Sequence, residues 1–145
     1  MKKLFLFICL SVSVLFFTAC SNNDDSPSGN RVSFKINGVQ KTFRGVAAIG
    51  ESDNGGATIL YHIKAATDAN SAEIISFYVP AGTTGANMAY SFDYVTDNTL
   101  FTNNGVSSNV TVNSNKKMKG SFSGSVVNDA GQVKTITDGT FDIDL

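Results

Sequence analysis

From Arg31 to Leu145 the apolar residues recur at every second position, in short runs set between Gly, Asn, Asp and Ser. A period of two is that of a strand with one buried face, whereas an amphipathic helix repeats every 3.6 residues. No stretch of this region carries the helical pattern. Val, Ile, Phe, Tyr and Thr fill the runs, and Gly (13 residues) far outnumbers Pro (2 residues), so the punctuation between runs is that of turns. The pattern predicts an all-β domain.

The first hairpin fixes its own register. VSFKI and VQKTF flank Asn37-Gly38, a strong signal for a two-residue turn. Closing that turn pairs Ile36 with Val39, Phe34 with Lys41 and Val32 with Phe43, all on one face. Lys41 is the one polar member of that face. Further strands are expected over Thr58–Ala66, with Ile59, Tyr61, Ile63 and Ala65 inward, and over Ala72–Val79, with Ile75, Phe77 and Val79 inward and Pro80 as the stop. Met88–Val95 puts Met88, Tyr90, Phe92 and Tyr94 on one side, and Val110–Val112 forms a short strand. Lys117–Val127 turns Phe122 and Val126 inward and Ser121, Ser123 and Ser125 outward. After a turn at Asn128–Gly131, Val133–Thr137 and Thr140–Leu145 are expected to form a hairpin through Asp138-Gly139.

About eight or nine short antiparallel strands with one apolar face each fit a β-sandwich, two sheets packed face to face. A closed up-and-down barrel of the lipocalin or calycin kind is the alternative. The short strands, and the glycines of KGSFSGSV, favour the sandwich.

The chain opens differently. Lys2 and Lys3 precede an uncharged, mostly apolar run from Leu4 to Thr18, then Ala19 and Cys20. A charged start, about 7–15 apolar residues and a small-residue cleavage site read as an export signal. The run is short of the roughly 20 residues that span a bilayer. Phe17-Thr18-Ala19-Cys20 resembles the lipobox of bacterial lipoproteins, with Phe17 where Leu is usual. The resemblance implies cleavage after residue 19 and lipid on Cys20, the membrane contact of the mature chain. Residues 21–30 (SNNDDSPSGN) hold no large apolar side chain and form a polar tether. The expected organisation is thus a signal over 1–19, a lipidated Cys20 and tether over 20–30, and one β domain over 31–145. Ser21-Asn22-Asn23-Asp24-Asp25 is similar to the acidic tract after the lipid cysteine in surface lipoproteins of Bacteroidota-type bacteria. It implies an outer-membrane address, at the cell surface or the periplasmic face.

The β region carries a further likeness. FKINGVQKTF near its start and KGSFSGSVVNDAGQVKTITDGTFDIDL at its end resemble small, uncharacterised Bacteroidota lipoproteins. Their chains end in a Gly-x-Phe strand, a turn and a Thr-x-Gly-x-Phe strand. Here those positions are Gly120, Phe122, Thr137, Gly139 and Phe141. The likeness implies an all-β fold in the same compartment and brings no activity with it.

Little in the sequence points to chemistry. Cys9 leaves with the signal and Cys20 carries lipid, so the β domain holds no thiol for a disulfide, a nucleophile or a metal. His62 is the single histidine and lies mid-strand on the expected polar face, with no nucleophile-elbow motif nearby. Zinc needs several His, Cys or carboxylate ligands. Calcium would need only oxygens, which Asp53-Asn54, Asp68–Ser71 and Asp93–Asn98 supply, yet none has the spaced EF-hand pattern. Turn aspartates are expected for local backbone bonding, and no carboxylate pair is signalled for glycoside hydrolysis. No cofactor is implied. Once Lys2 and Lys3 leave, nine basic residues stand against twelve acidic ones, a net charge of −3, and the small Lys116, Lys117, Lys119 cluster makes no field for nucleic acid. A glycan platform is usually aromatic; there is no Trp, and Tyr78, opposite Phe77, is the one tyrosine expected outside. The sequence therefore leads to a non-enzymatic binding or accessory module of the envelope, with a protein or glycan partner. A carrier of small apolar ligands inside a barrel is the alternative, and a carboxylate-dependent hydrolase comes last.

Overall fold

The structure, a computed structural model, describes residues 29–52, 59–67, 73–114 and 116–145. The expected signal, Cys20 and all of the tether before Gly29 lie outside the described residues, as do the Asp53-Asn54 and Asp68–Ser71 loops. Eleven strands follow in chain order: β1 (Arg31–Ile36), β2 (Val39–Phe43), β3 (Gly45–Ser52), β4 (Ile59–Ala66), β5 (Ile74–Pro80), β6 (Gly85–Ala86), β7 (Tyr90–Thr96), β8 (Thr99–Asn103), β9 (Ser107–Asn113), β10 (Lys117–Val127) and β11 (Val133–Asp144). Among the described residues there is no helix, and so none long and apolar enough to cross a membrane.

The fold is all-β and antiparallel throughout. The strands form one sheet in the order β2-β1-β11-β10-β8-β7-β5-β4-β3. β8 and β9 lie end to end along β10: Thr102 and Asn103 face Val127 and Val126, and Ser107 to Asn113 face Ser123 to Met118. The chain therefore meanders up and down and returns on itself when β11 pairs with β1. The two ends of the order, β2 and β3, are separated in the chain by Arg44 alone. The sheet thus curls until its ends share a covalent corner, and its apolar face packs on itself. Sandwich and barrel share that layered arrangement; the strand order is that of an up-and-down meander.

Local chemistry sets the turns. The first hairpin has the expected register, from Ile36 opposite Val39 to Val32 opposite Phe43. Asn37 and Gly38 have φ of 49° and 81°, the left-handed pair of a type I′ turn. Asp97 and Asn98, at 49° and 57°, make a second. That turn joins β7 to β8, a strand not expected from the sequence, and it accounts for two oxygen-bearing side chains of the Asp93–Asn98 calcium candidate. Asp138-Gly139 behaves otherwise. β11 runs through it without reversing, because β10 offers a continuous partner from Val127 to Lys117. The expected hairpin is a bulge, with Asp138 at φ 54° and a register shift between Phe122 and Gly124 of β10.

The bulge serves the packing. Phe122 faces Gly139 across the ladder, and Phe141 faces Gly120. A Cβ on Gly139 would lie 2.4 Å from the Phe122 carbonyl oxygen and 2.7 Å from its ring, and one on Gly120 would lie 2.3 Å from the Phe141 ring. Each ring occupies the space its glycine leaves, a reciprocal pairing of ring and bare backbone. From there the rings fill the interior. Phe122 stands 5.1 Å from Phe92, 5.8 Å from Phe34 and 6.1 Å from Phe77 between centroids, and Phe77 meets Phe141 at 5.2 Å. Strands β1, β5, β7, β10 and β11 therefore touch ring to ring across the curl.

Lys41 is explained at one end of the curl. Its ammonium reaches Glu73 Oε1 at 2.7 Å, with both side chains about a quarter exposed (27% and 23%). Buried Tyr94 and Thr96 adjoin the pair, and the Thr96 hydroxyl lies 3.5 Å from the same oxygen. The bond to Glu73 raises the Lys41 pKa against the opposing effect of burial, and burial raises that of the Tyr94 phenol. A charge on the apolar face is thus paired where the sheet opens toward solvent.

Two outcomes follow. Gly139→Ala should destabilise the fold by about 1–3 kcal/mol through overpacking, whereas Gly50→Ala, whose added carbon meets Ile59 at 3.5 Å, should be near neutral; thermal unfolding of both variants checks this. Lys41→Ala should cost about 1–2 kcal/mol by leaving Glu73 without its ammonium. Since pairing raises the Lys41 pKa, its contribution is complete below about pH 10.4 and fades as pH rises through the folded value. Denaturant titrations of both proteins at neutral and strongly alkaline pH should converge at the alkaline end.

Candidate binding faces on the outside of the sheet

With rings from opposite strands in contact, the outward side chains are left as the surface for recognition. Cross-strand register sorts them into rows, and the rows divide the exterior in two.

The outside of β9, β10, β11, β1 and β2 is polar. One row runs Asn109, Ser121, Thr140, Ser33, Thr42, each opposite the next. The Ser33 hydroxyl lies 3.2 Å from that of Thr42. Two open grooves lie on this half. One of about 560 Å³ is lined by Ser107, Asn109, Ser121, Ser123, Thr137 and Asp138, among others. The other, about 370 Å³, is lined by Arg31, Ser33, Gln40, Thr42, Arg44, Asp138 and Thr140. Asp138 borders both and is held by Lys35 at 2.8 Å. Toward the N-terminal end, Asp142 takes Lys119 at 2.8 Å and Lys117 at 3.0 Å. Burial pushes its carboxyl up, but the two ammonium groups outweigh it and leave the pKa below the ordinary value. Two of the three lysines of the small cationic cluster are thus neutralised by β11.

The outside of β3, β4, β5, β7 and β8 carries an aromatic row and an aliphatic row, with the polar row Lys64, Ser76, Asp93, Thr102 between them. Ile49 faces His62, His62 faces Tyr78, and Tyr78 faces Tyr90. The His62 and Tyr78 rings stack at 4.2 Å and 21°, and Tyr78 and Tyr90 lie 6.3 Å apart at 25°. Nearer the opposite end, Ile74, Val95 and Leu100 make a second row, with Ile74 and Leu100 exposed. Tyr90 is a correction to the sequence reading. Alternation puts it inward with Phe92, but Ser91 takes φ 53° in a bulge and turns Tyr90 outward, 38% exposed. Sequence alternation does not register the extra residue that a bulge inserts. Tyr78 lies on the outer face as expected, and its stack with His62 takes up a ring face that a flat sugar would need.

His62 lies on the outer face as read from the sequence. Its Nδ1 is 3.3 Å from Glu51 Oε1, and the imidazole is largely covered. Asp93 sits nearby, its carboxyl raised by burial against the pull of His62. The acceptor beside the imidazole is a carboxylate, and no hydroxyl nucleophile is bonded to His62 among the described residues. Nor, among those residues, does any group of three His, Cys, Asp or Glu side chains converge where a metal ion could sit.

Tyr78→Ala should lower stability by about 1–2 kcal/mol, through the lost stack and the partly buried ring, while Tyr78→Phe should retain most of it; denaturant melts of the two variants separate ring packing from the hydroxyl. Comparison of the chain with protein-family models, with curated proteins and with solved structures gives no match.

Proposed function

We propose that this chain is a lipid-anchored, non-enzymatic binding module of the bacterial outer membrane that holds an envelope partner on the outside of its sheet. The observation that carries the reading is the interior: rings from five strands meet there, so recognition falls to the exterior rather than to an enclosed ligand. The anchor is Cys20, at the end of a short apolar run and ahead of a polar tether. Acylation at more than one position gives the durable attachment that one chain alone does not.

The polar half is the better face for the partner. Its hydroxyl and amide groups donate and accept hydrogen bonds together, and its grooves are of the size that takes a small ligand or one segment of a polymer. That chemistry suits a neutral, hydroxyl-rich partner such as an envelope glycan. The aromatic half offers little flat ring surface, because its rings stack on one another.

The test is made with the full chain in bacterial cells. The unsubstituted protein should sediment with membranes and retain envelope polysaccharide on affinity capture. Cys20→Ser should abolish membrane attachment. Ser121→Arg with Thr140→Arg, at two exposed positions of the hydroxyl row, should keep attachment and lose at least about tenfold in retention, the scale of two lost hydrogen bonds. Retention unchanged by the double variant, or an apolar compound extracted in stoichiometric amount from the purified protein, would sink the proposed face.

A further inference from the structure

The sheet treats its three edges differently. β2 is five residues long and turns Lys41 toward the apolar side, and β6 has two residues. Short strands and inward charges are the devices that keep an edge from recruiting another strand. β3 has neither. It runs eight residues, Gly45–Ser52, and pairs with β4 without a bulge from Gly45 opposite Ala66 to Ser52 opposite Ile59. It holds no Lys, Arg or Pro, and its one charge, Glu51, stands near the end. Among the described residues no strand pairs with its other side. Ala47, Ile49, Gly50, Glu51 and Ser52 are exposed, Ile49 by 46%. A long, regular edge with a single charge near its end is a template for strand addition.

The geometry points to a second copy of this chain as the occupant, joined by antiparallel pairing of β3 with β3 about a two-fold axis at Ile49. The strand is its own complement in that register. Ile49 meets Ile49, Ala47 meets Glu51, Ala48 meets Gly50 and Val46 meets Ser52. The two Glu51 carboxylates stand four residues apart, roughly 13 Å at strand spacing, so no like charges are opposed. Sliding the register by four residues toward the strand end would set Glu51 against Glu51. With Ile49 on the axis, the outer row Tyr90, Tyr78, His62, Ile49 continues into its mate, and two such rows join into one. An interface of this kind is isologous, the same patch on both partners. It is also small beside the roughly 1,200–2,000 Å² of a stable complex, so the association is weak and reversible.

Cross-linking reads a weak pair directly. Ile49→Cys and Ala47→Cys are made separately in the full chain, isolated in detergent and oxidised mildly, with the unsubstituted chain giving the background. In the proposed register the side chains at position 49 lie about 4.5–5.5 Å apart, within reach of a disulfide, and those at position 47 roughly 13 Å apart. Ile49→Cys should form a disulfide-linked dimer at least about tenfold faster than Ala47→Cys, and Ala47→Cys with Glu51→Cys together should restore the fast rate. Equal rates for the two single variants, no dimer above background in either, or a product whose mass shows a different chain would each overturn the assignment. Both positions are exposed, and circular dichroism of each variant verifies that the sheet is intact.

Discussion

Phe122 is the residue on which the curl of the sheet depends. Its ring lies over Gly139 of the neighbouring strand and within reach of Phe34, Phe77, Phe92 and Phe141. One side chain of β10 thereby touches β1, β5, β7 and β11. With no cysteine in the β region to form a disulfide, the domain depends on this burial to hold its shape. The glycines are what let the rings in. A side chain at position 120 or 139 would push Phe141 or Phe122 off the sheet, and the strands on the far wall would lose their partners. The Gly-x-Phe pattern near the end of the chain is therefore a packing device.

Much of this was legible in the residues. Asn37-Gly38 fixes the first ladder pair by pair, and alternation places Phe34, Ile63, Ile75, Phe77, Phe92 and Phe122 inside. What escaped shares a physical cause: alternation is local, while pairing is not. β3 (GVAAIGES) has small residues on both faces and so no contrast to read. β8 (TLFTN) carries one inward ring, Phe101, too short a pattern to stand out. Asp138-Gly139 has the composition of a turn, and only the continuous partner in β10 makes it a bulge. Tyr90 departs from its expected face for the same reason, since the inserted residue turns it outward while Met88 still packs on the core. The exterior rows were the least legible part. A row such as Asn109, Ser121, Thr140, Ser33, Thr42 is scattered over the chain and exists only once five strands lie side by side.

The divided exterior gives the molecule two different surfaces on one thin frame. The hydroxyl half stays hydrated and offers hydrogen bonds without a strong net field. The other half sets an aromatic row and an aliphatic row on either side of Lys64, Ser76, Asp93 and Thr102, and ends at the open edge of β3.

The entry of the chain into the sheet has a mechanical consequence. The N-terminal segment leads straight into β1, which is hydrogen-bonded on both sides, to β2 and to β11, and Asn30 adds a bond to the Asp144 amide at 3.1 Å. A pull through that segment runs along the strand, not across it. It loads the bonds of both ladders together in shear, so they must yield at once rather than open one by one like a zipper. Resistance to such a load is set by the unfolding rate rather than by equilibrium stability. A domain of modest stability can thus hold firmly when it is dragged by its N-terminus.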